Sequence, residues 1–496
     1  MHRKRIATRI FLWFALLLLL LALGYVSFFF YKLNYFGNKV NPSSKQPETI
    51  FDTLKSVTSN DASGLKGAET GRINILLLGT AGKGKPGQNL TDTIMILSVN
   101  LKTNQVALLS LPRDLYARVP GTYYQSKINS VYQAALNRSG NNPDEAANSI
   151  KETVKDITSL DMNYYVVLDF DGFKQVVDAV GGINITSERD IYDATYPGPN
   201  YSYETFELKK GFHQLDGATA LKYARERHDD PEGDFGRAKR QQQIMQATKN
   251  KIFSAGTFFN IVAINNLINA LGDNIRTDIS PNEAASFFEL SKKLDTANIN
   301  NVVVDAWNSD SLLKVSHVMV GNVRAFVLIP RISNYSEIHD LAQNVFDLNK
   351  IKRRKEEISD ENATVAIINK SGDASLLGKI EKLLNERFGY KSVITINDPM
   401  KFDEETSTAY DPTNGSKPFT LDEIATKLPA KVSYDLPEGY GKVIEKSKKA
   451  NPDITVILGK DLSEKYRMEE DSIDDLKNAE DDQNYMDLSD NTNSNK

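Results

Sequence analysis

Ile10 to Tyr31, a run of twenty-two residues without a charge, follows Arg3, Lys4, Arg5 and Arg9. A helix of about 20 apolar residues crosses the hydrocarbon core of a bilayer. The cations stand on one side of the run only. The expected topology therefore keeps residues 1–9 in the cytoplasm, uses 10–31 as a single transmembrane helix, and puts everything later outside the cell membrane. A cleaved export signal has an apolar core of about 7–15 residues and small residues at its cut site. This run is longer and ends in Phe28, Phe29, Phe30 and Tyr31, so an uncleaved anchor is the expectation. The remaining chain must then fold in water beside a membrane. Residues 32–70 read as the spacer, polar and punctuated by Asn41-Pro42-Ser43-Ser44 and Asp61-Ala62-Ser63-Gly64.

Composition narrows the remainder. At about 100–200 residues per domain, the 496-residue chain holds a few domains. Cysteine is absent, which rules out disulfides, thiolate metal sites and a cysteine nucleophile. Five histidines make a histidine-rich metal centre a poor expectation. The formal net charge of −5 gives none of the overall basic character that nucleic acid selects. Residues 463–496 carry eleven acidic and four basic side chains and read as a disordered tail, so the rest of the chain is slightly basic.

Residues 71–347 read as one layered α/β domain. Apolar runs at Ile73–Leu78, Thr93–Val99 and Gln105–Leu111 have the length of buried strands, and the turn-like residues 100–104 make the last two a hairpin. Helices are expected near Ile128–Ser139 and Asp144–Thr158. A strand at Tyr164–Phe170 and a short helix at Asp171–Val180, closed by Gly181-Gly182, come next. Ala218–Arg225 and Arg237–Ile252 read as helices, and Ala325–Ile329 as a late strand. Alternation of the two periods argues for a sheet covered by helices. Residues 348–362, with the charge-dense stretch Ile351–Asn362, read as a linker. A small α/β domain is expected over 363–462, folding independently of what precedes it. Its strands fall at Thr364–Ile368, Ser392–Ile396 and Ile454–Leu458, and its helices at Ser375–Arg387 and from near Leu421.

Several motifs bear on chemistry. Gly79-Thr80-Ala81-Gly82-Lys83-Gly84-Lys85-Pro86 nearly spells a phosphate-binding loop, but Pro86 replaces the final Ser/Thr and a strand, not a helix, follows. The stretch then reads as a basic loop, with Lys83 and Lys85 adding positive potential. Thr91-Asp92-Thr93 and Pro112-Arg113-Asp114 put charge at strand ends, where α/β folds place their sites. Each alone is also what a turn or a surface ion pair looks like. The richest segment runs from Leu215 to Gln243, with Arg225, Arg227, Asp234, Arg237, Arg240 and Gln241. The spacing puts Arg237, Arg240 and Gln241 on one face of the first turns of a helix. Cations there oppose the macrodipole. That placement makes sense if the arginine forks grip an anion, and a solvated charged face is the plainer alternative.

Five blocks, LTDTIMIL, LSLPRDL, SKINSVY, VVDAVGGI and LDGATALKYARER with DFGRAKRQQ, occur in this order over about residues 72–255. They resemble the LytR-CpsA-Psr family, and ATVAIINKSG with ANPDITVILGKD more loosely resembles the separate LytR C-terminal domain. The resemblance implies a three-layer α/β/α sandwich with a mixed central sheet and an apolar pocket for a polyprenyl chain. It implies a phosphotransferase that moves a glycopolymer from a polyprenyl-pyrophosphate carrier to a peptidoglycan hydroxyl, assisted by Mg2+. Carried over residue by residue, Asp92 matches the metal-associated aspartate. Arg113, Arg225, Arg227, Arg237 and Arg240 match the arginines around the phosphates, with Gln241 beside them, and Lys127 of the third block joins the substrate-binding set. Asp234 matches an acid able to act as base on the acceptor, with Arg113 and Arg227 nearest the chemistry. Two positions depart from the family: Ala81 stands where many members have Asp, and Leu90-Thr91-Asp92 where many have Arg-Ser-Asp. Asp114, or Lys83 and Lys85, are the residues available to compensate. The rival reading is a membrane-tethered protein that binds a glycolipid or wall glycan without turning it over.

Overall fold

The computed structural model describes residues 64–198, 202–226, 233–253, 274–291, 293–306, 311–320, 323–396, 403–413, 415–447 and 451–466. The expected anchor, most of the spacer and the acidic tail after Tyr466 lie outside these residues. Among the described residues, no helix is long and apolar enough to cross a membrane. The chain divides into two compact units. One comprises the residues up to Leu108 with Tyr132–Asn148 and Met162–Asn301; the other comprises Leu109–Val131, Ser149–Asp161 and the residues from Val302 onward.

The first three strands are β1 (Arg72–Thr80), β2 (Thr91–Asn100) and β3 (Gln105–Leu111), followed by the short β4 (Tyr116–Arg118) and β5 (Gln125–Lys127). Next come β6 (Tyr164–Asp169), β7 (Ile183–Ser187), β8 (Ile191–Pro197), β9 (Tyr203–Leu208), β10 (Gly211–Leu215), β11 (Ile275–Thr277) and β12 (Asp295–Val303). Six of them form the central sheet in the order β11-β6-β1-β2-β3-β12. β1 runs parallel to β6 and antiparallel to β2, so the sheet is mixed. Side chains alternate across it. Ile73, Ile75 and Leu77 face the helix Pro281–Ser291 through Phe287 and Leu290, while Leu76 and Leu78 are buried on the other side. Both faces are therefore covered, which is why these strands read as apolar runs rather than as alternating ones.

The antiparallel pairs β7–β10 and β8–β9 form two small sheets outside the central one. Each is amphipathic. Ile183, Ile185, Ile191, Phe206, Leu208 and Leu215 join one buried cluster with Val177, Tyr223 and Ile244. The helices Phe170–Ala179 and Gly217–Arg225 meet closely at Gly217, where a Cβ would lie 2.2 Å from the Lys174 carbonyl oxygen. Any side chain there would force the two helices apart.

In the second unit, β13 (Leu313–Val320) and β14 (Val323–Pro330) form a hairpin, and β4 pairs with β5. The strands β15 (Thr364–Asn369), β16 (Ser392–Ile396), β17 (Thr408–Tyr410), β18 (Lys431–Ser433) and β19 (Ile454–Leu458) make a five-stranded sheet in the order β16-β15-β19-β17-β18. Val365, Ile367, Val456 and Leu458 are buried on one face with Leu376, Ile380 and Ile424, and Ala366, Ile368 and Ile457 on the other with Tyr440 and Ile444. The stretch read as a linker differs from expectation: Asn349–Glu361 is a helix, and its Ile358 enters the core of this sheet. Glu361 accepts hydrogen bonds from the backbone N–H of Phe419 and Thr420, at 2.9 and 2.7 Å, and so caps the helix Pro418–Lys427. The five-stranded part also grips the segment before the helix. Ile332 lies in its core, and Tyr466 Oη donates to the Ile332 carbonyl. Glu337 takes both N–H arms of Arg387 at 3.1 and 3.2 Å, and Lys427 pairs with Asp340.

Candidate active site

Because β1 and β6 are parallel and β2 is antiparallel, the ends of β1 and β6 and the start of β2 meet at the same end of the central sheet's strands. Thr80 lies opposite Thr91 on one side and Asp169 on the other. The ladder slips there: Gly79 faces Thr93, but Thr80 faces Thr91. Asp92 is the extra residue of a β-bulge, a device that ends regular pairing and re-aims a side chain. The loop 81–90 returns the chain directly into β2, so the near match to a phosphate-binding loop has no helix behind it. Gly82 sits at φ +92°, and a Cβ on it would approach the Asp169 side chain to 2.9 Å. Asp169 itself caps the helix Phe170–Ala179, accepting from Gly172 N–H at 2.8 Å. Lys85 does not face outward as a lone cation. It pairs with Asp171, which also holds Lys174 at 2.8 Å. Hydrogen bonds from Lys174 and then Lys85 hold the Asp171 carboxyl below the usual carboxylate range. Lys83 is exposed.

A second cluster belongs to the other unit. Asp114 is only 6 % exposed. Its Oδ1 lies 2.8 Å from Lys127 Nζ and its Oδ2 3.4 Å from Arg113 Nε. Backbone bonds fix this knot from three sides: Leu328 N–H to the Asp114 carbonyl, Asn129 N–H to that of Arg113, and Ile128 N–H to that of Leu115. Tyr116 is the register partner of Lys127, whose ammonium stands 5.7 Å from the centre of the Phe326 ring. The structure thus brings Arg113 and Lys127 together, as the motifs suggest. Both carboxylate oxygens of Asp114, one of the residues read as available to compensate for the departures at Ala81 and Leu90, stand beside cations.

The arginine-rich segment forms a third cluster. The Arg225 guanidinium stacks 4.4 Å from the Phe170 ring centre, with Tyr196 Oη 3.4 Å from its Nη1. Arg227 lies outside the described residues. The following helix spans Gly233–Phe253, earlier than its spacing suggested. Asp234 stands in its first turn, where the macrodipole favours an acid, and its side chain lies outside what is described. Arg237 and Arg240 fall beyond that turn, so the argument from cations opposing the dipole loses its force. Both are nonetheless buried, at 9 % and 7 % exposure. Arg240 donates from Nε to the Tyr223 carbonyl at 3.0 Å and from Nη2 to that of Glu226, and Gln241 reaches the Ala224 carbonyl at 3.4 Å. These two side chains brace the turn that ends the helix Gly217–Arg225. A sequence cannot show that their partners are main-chain oxygens.

Sequence reasoning missed Phe170, Tyr196 and the cap at Asp169. The Asp169-x-x-Gly172 spacing was the available signal for the cap. For a magnesium ion, no three His, Asp or Glu side chains gather among the described residues. The donor chemistry still fits. Magnesium keeps several waters and uses one or two carboxylates together with substrate phosphate oxygens, and Asp92 offers one carboxylate of that kind at the start of β2.

The profile of the LytR_cpsA_psr family matches residues 33–327. An Enterococcus faecalis protein named as a polyisoprenyl-teichoic acid–peptidoglycan teichoic acid transferase, TagU, is 33 % identical over 214 residues. That match spans 42 % of this chain and 62 % of the relative, less than two thirds of its length. A protein of the same name from Bacillus anthracis is 28 % identical over 258 residues, 52 % of this chain and 76 % of its own. Among solved structures, that of B. subtilis TagV covers 56 % of this chain and 97 % of its own at 26 % identity, with a TM-score of 0.43.

Proposed function

This chain belongs to the LytR-CpsA-Psr family, and from that premise we propose that it transfers a glycopolymer phosphate from a polyprenyl-pyrophosphate carrier to a hydroxyl of peptidoglycan. The observation that carries the reading is the retained cation set. Arg113 and Lys127 are tied to one buried carboxylate, and Arg225, Arg237 and Arg240 stand on two consecutive helices. Phosphoryl transfer calls for charge neutralisation and alignment more than for covalent help from the protein.

In this reading Arg113, Lys127, Arg225, Arg227 and Arg237 bind the pyrophosphate oxygens, with Gln241 beside them. Arginine forks fix both charge and direction. Arg240 acts chiefly by bracing the turn that carries Arg225 and Arg227. Asp92 is the residue to hold Mg2+, which, when bound, supplies charge neutralisation at the leaving pyrophosphate. Asp234 takes the proton of the acceptor hydroxyl. The polyprenyl carrier makes a membrane surface the natural workplace, with the apolar run at Ile10–Tyr31 as the anchor.

Ala81 and Leu90 favour a second reading, in which the chain binds the carrier-linked glycopolymer without turnover. Transfer of labelled glycan from a synthetic polyprenyl-pyrophosphate donor to peptidoglycan fragments, measured with donor binding across Mg2+ concentrations, separates the two. Wild type is expected to transfer. Asp92→Asn is expected to raise the Mg2+ needed for half-maximal rate and to lower the rate by at least about tenfold, because a neutral amide is a poorer ligand for a hard cation. Donor binding with no transfer at any metal concentration establishes the binder instead.

A further inference from the structure

We propose that Asp114 is a positioning residue that holds Arg113 and Lys127 together as one anion-receiving pair. The inference deepens the proposed function and rests on it. Three observations carry it. The carboxylate is buried, and each of its oxygens meets a different cation. Two cations set side by side repel, and one carboxylate between them removes the repulsion while leaving a net single positive charge. Lysine has three donor hydrogens and arginine five, so the contact with Asp114 takes up only part of what each group can donate.

The second observation is that main-chain bonds tie down the same segment. Leu115 and Ile128 are fully buried, and main-chain bonds already tie residues 113–115 to Leu328 and to residues 128–129. Leu115 also bridges Leu328 as an isolated β-pair. A buried ion pair in such a frame adds little stability over an apolar side chain of the same size. A role in presenting charge accounts for it better than a role in holding the loop.

Third, the aromatic flank limits where Lys127 goes. Its ammonium lies over Phe326, and its backbone is held in register with Tyr116. Asp114 supplies the remaining constraint, so the flexible stem is fixed before any ligand arrives. Preorganisation of this kind lowers the entropic cost of binding and shows in affinity.

The test uses the full chain in detergent micelles, with farnesyl pyrophosphate and inorganic pyrophosphate as probes in titration calorimetry and thermal unfolding recorded alongside. Asp114→Asn is expected to weaken pyrophosphate binding by about tenfold even though it removes a negative charge from the site, because the two cations lose their common anchor. In a Lys127→Ala background the same change is expected to cost less than it does in the wild type, because part of what Asp114 does runs through that neighbour. Asp114→Glu keeps the charge but moves it by one methylene. A positioning role predicts several-fold weaker binding for it too, and this variant decides the matter should Asp114→Asn fail to fold. Wild-type or tighter affinity in either folded variant overturns the inference and leaves the proposed function standing. So does an Asp114→Asn effect that is undiminished in Lys127→Ala. Failure of the wild type to bind either probe removes both.

Discussion

Arg240 shows how a residue's type can be legible while its task is not. The spacing of Arg237, Arg240 and Gln241 announces a cationic helix face, and the family resemblance places that face at phosphate. In the fold, Arg240 spends two donors on the carbonyls of Tyr223 and Glu226. Arg240→Lys keeps the charge and loses the fork that spans both oxygens. Charge-assisted bonds of this kind are worth about 1.5–3 kcal/mol each, so a drop of that order in unfolding free energy is expected together with a slower transfer. Arg225→Lys, whose partner is an aromatic face, is expected to slow transfer at nearly unchanged stability. Denaturant unfolding set against transfer rate checks both, and a stable but inactive Arg240→Lys sinks the bracing role. Asp92 is the converse case. Its identity is legible, but the bulge that singles it out appears only in the register between β1 and β2. The knot at Asp114 is half legible: Pro112-Arg113-Asp114 reads as a charged strand end, while Lys127 and Leu328 reach it only through the fold.

At the level of elements, the apolar strands are the clearest. β3, β16 and β19 have the ends their sequences suggest; for β3 and β19 the reason is that a strand buried on both faces needs an unbroken apolar run. The antiparallel pairs β7–β10 and β8–β9 are not legible in the same way. Their outward faces carry Asn184, Thr186, Tyr192 and Glu207, and alternation over five to seven residues is a weak signal among turns. The helix Asn349–Glu361 reads as a linker for a related reason. It shows little but charge, and its single deeply buried side chain, Ile358, gains meaning only from the sheet beside it. Residues 363–466 therefore do not hang from a free tether. A chain stopped at Asp347 loses Arg387 from Glu337, Lys427 from Asp340 and the cover over Ile332. The expected result is a less stable fragment, since Ile332 loses its apolar cover and Glu337 and Asp340 lose their partners. Thermal unfolding and limited proteolysis of the two chain lengths measure this, and equal stability would show that the contacts add nothing.

For the molecule as a whole, the one-sided cations before Ile10–Tyr31 predict that both units work outside the cytoplasm. Protease added to intact spheroplasts is expected to degrade them, and complete protection contradicts the topology. The same arrangement has a consequence for biosynthesis. The second unit joins Leu109–Val131 to residues beyond Val302, and the Asp114 carbonyl waits for the N–H of Leu328. A chain threaded outward from its N-terminus delivers these pieces in sequence, so Arg113 and Lys127 emerge long before the strand that seats them. Contacts so distant along the chain close slowly, because the intervening loop must first be brought together. On that predicted topology the proposed anion-receiving pair is assembled only after the strand at Val323–Pro330 has emerged, and until then the loop that carries Arg113 has no partner strand to seat it.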